Sequence, residues 1–266
     1  MQLEKFRLDG KVAVVTGASG LLGREFCSGL IEAGAEVAVV DIDPVASEVL
    51  ASELGDRAKF FLCDVSSKES VVKCVDEIIK HFGKIDILHN NAATKTSNLQ
   101  AFFEPFESYS LDTWREVMSV NIDGMFLMAQ AVGKFMVAAG SGSIVQTASI
   151  YGLVGPDNRI YEGSEYMGGP INTPAAYSAS KAAVIGLTRW LATYWADKGI
   201  RVNCLVPGGV STGQNKVFSD LYSERTPMGR MSESHEIVPA LLYLVSEASS
   251  YVTGQVISVD GGWTAW

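Results

Sequence analysis

The chain has 266 residues, 47% of them hydrophobic and 19% charged, enough to bury a full core within one α/β domain. Its net charge of −9, with 21 Lys and Arg scattered among 30 acids, excludes the clustered basic surface a nucleic acid requires. Apolar runs such as 37–40 and 182–187 fall far short of the roughly 20 residues of a membrane helix, and residues 1–11 hold no signal-like apolar core.

Short β-branched runs alternate with helix-period segments along the chain. Residues 11–15 predict a buried strand, followed by a glycine-rich turn and a helix over about 22–33 that Gly34 closes. Strands over 36–40 and 58–63 follow, then a helix over 71–81 and a strand over 85–88. A long helical stretch over 113–139 leads to a strand over 143–146. A second long helix over 175–197, a strand over 200–205, a helix over 237–245 and a strand over 256–259 complete the series. Apolar strands separated by helices imply crossovers, and right-handed crossovers give a doubly wound parallel sheet, a Rossmann fold, covered on both faces. No linker, repeat or low-complexity tract divides it, so a single domain over 1–266 is expected. Cys27, Cys63, Cys74 and Cys204 show no CxxC spacing and lie in apolar surroundings, and His81, His89 and His235 form no cluster. Buried thiols in a reducing cytoplasm, with no metal site, are the expectation.

The first strand runs into Thr16-Gly-Ala-Ser-Gly-Leu-Leu-Gly23. Glycines at 17, 20 and 23 permit a tight turn and a close backbone approach to a pyrophosphate, which the following helix N-terminus attracts. Gly17, Ser19, Leu22 and Gly23 are the candidate contacts there. The second strand ends at Asp41, 24 residues after Gly17. A carboxylate there can accept both adenosine ribose hydroxyls and repel a 2′-phosphate, and no Arg or Lys lies between Gly17 and Gly23, so NAD is favoured over NADP. The alternative is that Asp41 caps the turn before Pro44. Cys63-Asp64-Val65 and Asn90-Asn-Ala-Ala93 also follow strand carboxyl ends, where such a sheet holds its ligand. Asp64 and Val65 are placed beside the adenine, with Asn91, Ala92 and Ala93 offering backbone contacts beneath it; ordinary turn formation is the alternative.

Tyr177-Ser-Ala-Ser-Lys181 puts a phenol and an ammonium on one helix face. A phenol of pKa about 10 is a poor base at pH 7, and an adjacent cation favours its ionised form. Tyr177 could then exchange a proton with a substrate oxygen while a nicotinamide carries the hydride.

Thr16–Gly23, Asp64, Asn90–Ala93, Asn121, Ser149, Tyr177 with Lys181, and Pro207-Gly208 occur together in the order of the short-chain dehydrogenase/reductase family. The chain resembles that family over nearly its whole length, to the terminal Tyr251-Val-Thr-Gly-Gln and Asp260-Gly-Gly262. The resemblance implies that Ser149 polarises the substrate oxygen and that Tyr177 is the general acid/base. It also implies that Lys181 binds the nicotinamide ribose while lowering the tyrosine pKa, and that Asn121 holds a water linking Lys181 to solvent. Pro207, Gly208, the Val210 backbone and the Thr212 hydroxyl are implied to contact the nicotinamide carboxamide. Three residues between Tyr177 and Lys181 match dehydrogenases and carbonyl reductases; enoyl reductases of this fold space the pair more widely.

The middle glycine at Gly20, with Leu21 after it, is similar to the spacing in the longer nucleotide-sugar epimerases and dehydratases. Ser149 and Tyr177 are also separated by an unusually long segment, about 156–174, containing Asn158, Arg159, Tyr161, Glu162, Glu165, Tyr166 and Asn172. A loop so rich in hydrogen-bonding side chains suits a polyhydroxylated or charged substrate; a subunit contact is the alternative. Ser149-Ile-Tyr-Gly152 with Ile160-Tyr-Glu162 is similar to oxidoreductases of flagellar-glycan and nonulosonic-acid sugar pathways. Residues 211–231 are expected to form a substrate lid, in which Gln214, Asn215 and Arg225 could meet substrate, solvated surface being the alternative for each. Small residues at 175, 176, 179, 182, 183 and 186, with the family resemblance, imply a four-helix contact in a homotetramer, a dimer being the alternative. The C-terminal Gly262-Trp-Thr-Ala-Trp266 is expected at an interface, near the site, or in the core. An oxidoreductase acting on a sugar or polyol-type alcohol is the leading expectation. An epimerase or lyase using transient oxidation by retained NAD, and a non-catalytic NAD-sensing protein, are the alternatives.

Overall fold

A computed structural model of the chain describes residues 2–96, 98–166 and 169–266, the Tyr166 side chain excepted. Seven parallel strands form the main sheet in the order β3-β2-β1-β4-β5-β8-β9. They are β1 (Val12–Thr16), β2 (Glu36–Asp41), β3 (Ala58–Leu62), β4 (Ile87–Asn90), β5 (Gly142–Thr147), β8 (Ile200–Pro207) and β9 (Val256–Val259). The doubly wound sheet anticipated from the alternating pattern is therefore present. Its order reverses between β1 and β4, where the connections that follow the two parallel strands run to opposite sides and leave a crevice at their carboxyl ends. A two-residue hairpin, β6 (Glu165–Tyr166) and β7 (Gly169–Pro170), lies outside the sheet. It falls within the long segment at 156–174, of which residues 167 and 168 lie outside the described residues.

Helices α1 (Leu21–Glu32) and α9 (Val238–Val245) cover one face, packing Phe26, Leu30, Leu241 and Leu244 against Val15 and Val39. On the other face, α3 (Lys68–Phe82), α6 (Gly124–Ala139) and α7 (Ala175–Trp195) bury Ile78, Met128, Met136 and Trp195 against Val14, Ile144 and Val202. The central strands are buried on both sides, which is why they read as continuous apolar runs.

The helix α2 (Pro44–Leu54) occupies a stretch where the pattern suggested only a turn. Pro44 sits in its first turn, where the missing N–H costs nothing, and the Asp43 carboxylate accepts from the N–H groups of Val45 and Ala46. The expected continuous helix over 113–139 is two helices, α5 (Leu111–Met118) and α6, joined by a π-helical turn at Ser119–Asp123. Together, 111–139 is long and apolar enough to cross a membrane by length and composition, although α6 packs Met125, Met128 and Met136 in the protein's interior. Short α4 (Leu99–Phe102) precedes it, and α8 (Lys216–Arg225) lies inside the expected lid. All four cysteines are free and buried, and no cluster of potential metal ligands occurs among the described residues.

The C-terminal tryptophans divide. Trp263 is core, 1% exposed and stacked on Tyr222 at 4.3 Å, whereas Trp266 is 71% exposed. Arg225 lies over both rings, at 4.9 and 5.6 Å, with its guanidinium 3.7 Å from the Asp157 carboxylate. The tail thus joins α8 to the segment after Ser149.

Candidate active site and cofactor cleft

A cleft of about 630 Å³ opens at the carboxyl ends of β1, β2, β3 and β4 and reaches the start of α7. Its floor is the glycine-rich turn. Gly17 has φ +63°, and a Cβ on it would lie 2.8 Å from the Ala92 Cα. A Cβ on Gly23 would meet the Gly17 carbonyl oxygen at 2.1 Å. No side chain caps α1, whose first N–H groups follow Gly20. This bare, close-packed helix entrance fits a dinucleotide pyrophosphate. Gly23→Ala must push the turn and helix apart, at about 1–3 kcal/mol for overpacking. Dinucleotide affinity is expected to weaken about tenfold, read by fluorescence titration; an unchanged Kd would show that the turn yields freely.

Gly17, Ser19, Leu22, Gly23, Asp41, Asp64, Val65, Asn91, Ala92 and Ala93 all line this cleft, as do Ser149, Tyr177, Lys181, Pro207, Gly208 and Val210. Several are already engaged. Asp41 accepts from the Ser19 N–H at 2.9 Å and from those of Ile42 and Asp43, so it braces the turn as well as facing the cleft. Asp64 accepts from the Ser66 N–H and hydroxyl. The N–H groups of Asn91 and Ala92 donate to the Thr16 hydroxyl, while the Asn91 amide donates to the carbonyls of Thr16 and Gly17. Those two backbone donors lock the glycine turn to β4, while Asn91, Ala92 and Ala93 line the cleft.

Asn121 and Thr212 do not line the cleft. Asn121 is fully buried in the π-helical turn; its amide oxygen accepts from the Thr94 N–H at 2.8 Å and its NH₂ donates to the Ser180 hydroxyl. One lone pair and one N–H of its amide are thereby engaged. Thr212 is exposed because 210–214 folds on itself: its N–H donates to the Gln214 side chain, which in turn donates to the Val210 carbonyl. Gln214 is thus spent on the turn, Asn215 caps α8 through the Phe218 N–H, and Arg225 holds the tail. All three possible substrate contacts thus already have partners within the protein.

At the far end of the cleft, Ser149 begins a 3₁₀ turn and accepts from the Tyr151 N–H. A Cβ on Gly152 would lie 2.6 Å from the Lys181 carbonyl, so this turn sits directly on α7. Burial pushes the Tyr177 hydroxyl up, and a hydrogen bond with Ser149 opposes that. Lys181 is 2% exposed; its ammonium donates to the Thr147 carbonyl at 2.9 Å and stands 5.8 Å from the Tyr177 ring centre. Its pKa is pulled down to about 8 by burial. Sequence reasoning missed the lining residues Ile42, Thr94, Lys95, Thr147 and Ala148. Their neighbours in the motifs were the only signal for them.

The fold and this cleft define a dinucleotide-binding protein of the Rossmann class. A family model described as enoyl-(acyl carrier protein) reductase matches residues 17–264. The chain is 39% identical to galactitol 2-dehydrogenase (L-tagatose-forming) of Cereibacter sphaeroides, over 98% of each chain. It is 35% identical to an NAD-dependent glycerol dehydrogenase of Listeria innocua, over 97% of this chain and 96% of the other. A gluconate 5-dehydrogenase from Burkholderia cenocepacia, solved with NADP and tartrate, superposes with TM-score 0.88 at 34% identity over the full length of both. The chain belongs to the short-chain dehydrogenase/reductase family.

Proposed function

We propose that this chain, as one domain, is an NAD-dependent dehydrogenase that interconverts a secondary alcohol and a ketone on a polyhydroxylated substrate. The observation carrying this reading is the Ser149–Tyr177 hydroxyl pair beside Lys181, at the opposite end of the cleft from Asp41. The four-residue step from Tyr177 to Lys181 favours alcohol and ketone chemistry over enoyl reduction, whatever the description of the matching family model. Relatives acting on galactitol and glycerol support the substrate class; they lend no support to the flagellar-glycan subgroup.

Bound nicotinamide supplies the hydride acceptor or donor. Ser149 hydrogen-bonds the substrate oxygen, and Tyr177 takes its proton in oxidation and returns it in reduction. The raised tyrosine keeps its proton at neutral pH, the form that donates to a ketone oxygen. Lys181, still largely charged at pH 7, favours loss of that proton in the alcohol direction and binds the nicotinamide ribose. Pro207, Gly208 and Val210, which line the cleft, would hold the nicotinamide, and Asn121 is assigned to the relay water. Asp41, near the Ser19 N–H, receives the adenosine ribose. The exposed face of α7, Ala182 and Gly186 with the stacked Trp190 and Tyr194, is assigned to a homotetramer contact, a dimer being the alternative.

The test is an absorbance assay of purified protein with NAD⁺ or NADP⁺ and a panel of polyols, sugars, sugar acids and secondary alcohols. Turnover on a polyol is expected, with kcat/KM at least tenfold higher for NAD⁺, the equivalent of about 1.4 kcal/mol. Asp41→Ser is expected to narrow that ratio. Preference for NADP⁺ would refute the role given to Asp41, and substrate conversion without net cofactor reduction would favour an epimerase or lyase.

A further inference from the structure

Of the polar residues that mark the segment 156–174, Asn158, Arg159, Glu162 and Glu165 are exposed to solvent, and Arg159 pairs with Asp157. Tyr161 is different. Its hydroxyl donates to the Tyr151 hydroxyl at 3.2 Å and is hydrogen-bonded to the Thr173 hydroxyl. Tyr151 lies two residues after Ser149, and Thr173 four before Tyr177. The three hydroxyls therefore bridge the two chain segments that carry the catalytic hydroxyl pair. From above, Phe218 of α8 stacks on the Tyr161 ring at 5.6 Å.

A hydroxyl has one proton to donate and two lone pairs to accept with. Tyr161 gives its proton to Tyr151, so the Thr173 hydroxyl is the donor in the second link. Two protons are thereby used. Thr173 is hydrogen-bonded to Tyr151 as well, so the three hydroxyls are linked to one another and it is most of their lone pairs that remain for another partner. One residue away, the Asn172 amide oxygen is buried without a partner while its NH₂ donates to the Phe103 carbonyl. Tyr161 is also near enough to Tyr177 for their ionisations to oppose one another. A partly buried wall with hydrogen-bonding capacity to spare, beside the reacting hydroxyls, is matched by a ligand carrying hydroxyl groups of its own.

We propose that Tyr151, Tyr161 and Thr173 form a subsite that receives a second hydroxyl group of the substrate, selecting polyhydroxylated alcohols over monohydric ones. The assignment rests on the polyol reading above and locates it in three side chains. A substrate hydroxyl donates to acceptors that an unsubstituted carbon leaves unpaired, which penalises the monohydric alcohol.

The experiment compares glycerol, or another polyol accepted in the panel, with 2-propanol or the corresponding monohydric alcohol, using NAD⁺. Tyr161→Phe keeps the ring on Phe218 and removes only the hydroxyl; Thr173→Val and Thr173→Ser remove and retain the other. Affinity for NAD⁺ and the thermal midpoint serve as folding controls. Tyr161→Phe and Thr173→Val are each expected to lower the polyol-to-monohydric ratio of kcat/KM about tenfold, with Thr173→Ser close to wild type. An unchanged ratio, whether activity on both substrates is lost together or kept, overturns the subsite while leaving the polyol reading intact. A wild-type enzyme that favours monohydric alcohols overturns both.

Discussion

Tyr177→Phe is expected to lower kcat for alcohol oxidation about a thousandfold, within the usual span for removal of a positioned acid/base. The ring packs among Phe102, Val117 and Ala176, contacts that phenylalanine keeps, so folding and dinucleotide binding should survive. What disappears is the hydroxyl that shares a hydrogen bond with Ser149. A thousandfold corresponds to about 4 kcal/mol of transition-state stabilisation, far more than one neutral hydrogen bond contributes to stability. Steady-state kcat with saturating substrate, beside an NAD⁺ titration, separates the two. Retention of more than a tenth of the activity would remove Tyr177 from the mechanism.

The second large effect concerns stability in acid. His89 is fully buried on β4; its Nε2 lies 2.8 Å from the Thr147 hydroxyl, its other ring nitrogen has no partner, and Phe26 meets the ring edge-on at 4.4 Å. Burial pulls its pKa down to about 3, from an ordinary value of 6.5. Between these values the unfolded chain binds a proton that the folded chain refuses. Stability is therefore unaffected by this group above about pH 6.5 and falls as pH drops toward 3. Two pH units of that window are worth about 3 kcal/mol. His89→Leu, which cannot titrate, is expected to lose about that much less than wild type between pH 6.5 and pH 4.5 in urea unfolding. Parallel losses in the two proteins would assign the acid sensitivity to other groups.

The fold was legible because both signals that encode it are local. Strands buried on both faces read as apolar runs, and the glycine-rich turn announced the first crossover. The helix at 44–54 was not, since Pro44 and Asp43 carry the same information for a turn as for a helix start. In the cleft, the residues named by motif lie together from Gly17 to Val210, Asn121 and Thr212 excepted. What the motifs could not convey is which atoms are already spoken for. Thr16 consumes the N–H groups of Asn91 and Ala92, Gln214 turns 210–214 away with Thr212, and burial pushes the Tyr177 hydroxyl up. Each depends on partners distant in sequence or on depth in the molecule.

The π-helical turn carrying Asn121 also sets the rotational phase of everything after it. Counting about 3.6 residues per turn onward from the buried Thr113 and Val117 places an inward face near residues 124, 127–128, 131 and 135. The buried positions of α6 include Gly124, Met128 and Ala131 and extend one residue further at Met125, Ala129, Val132 and Met136. The single extra residue of a π turn shifts the face in that direction. One helical rod thereby serves two surfaces at once, holding Asn121 between Thr94 and Ser180 while α6 is rotated to lay its methionines on the sheet. Shortening 119–123 by one residue would bring back an unbroken α-helical count and leave those two alignments incompatible.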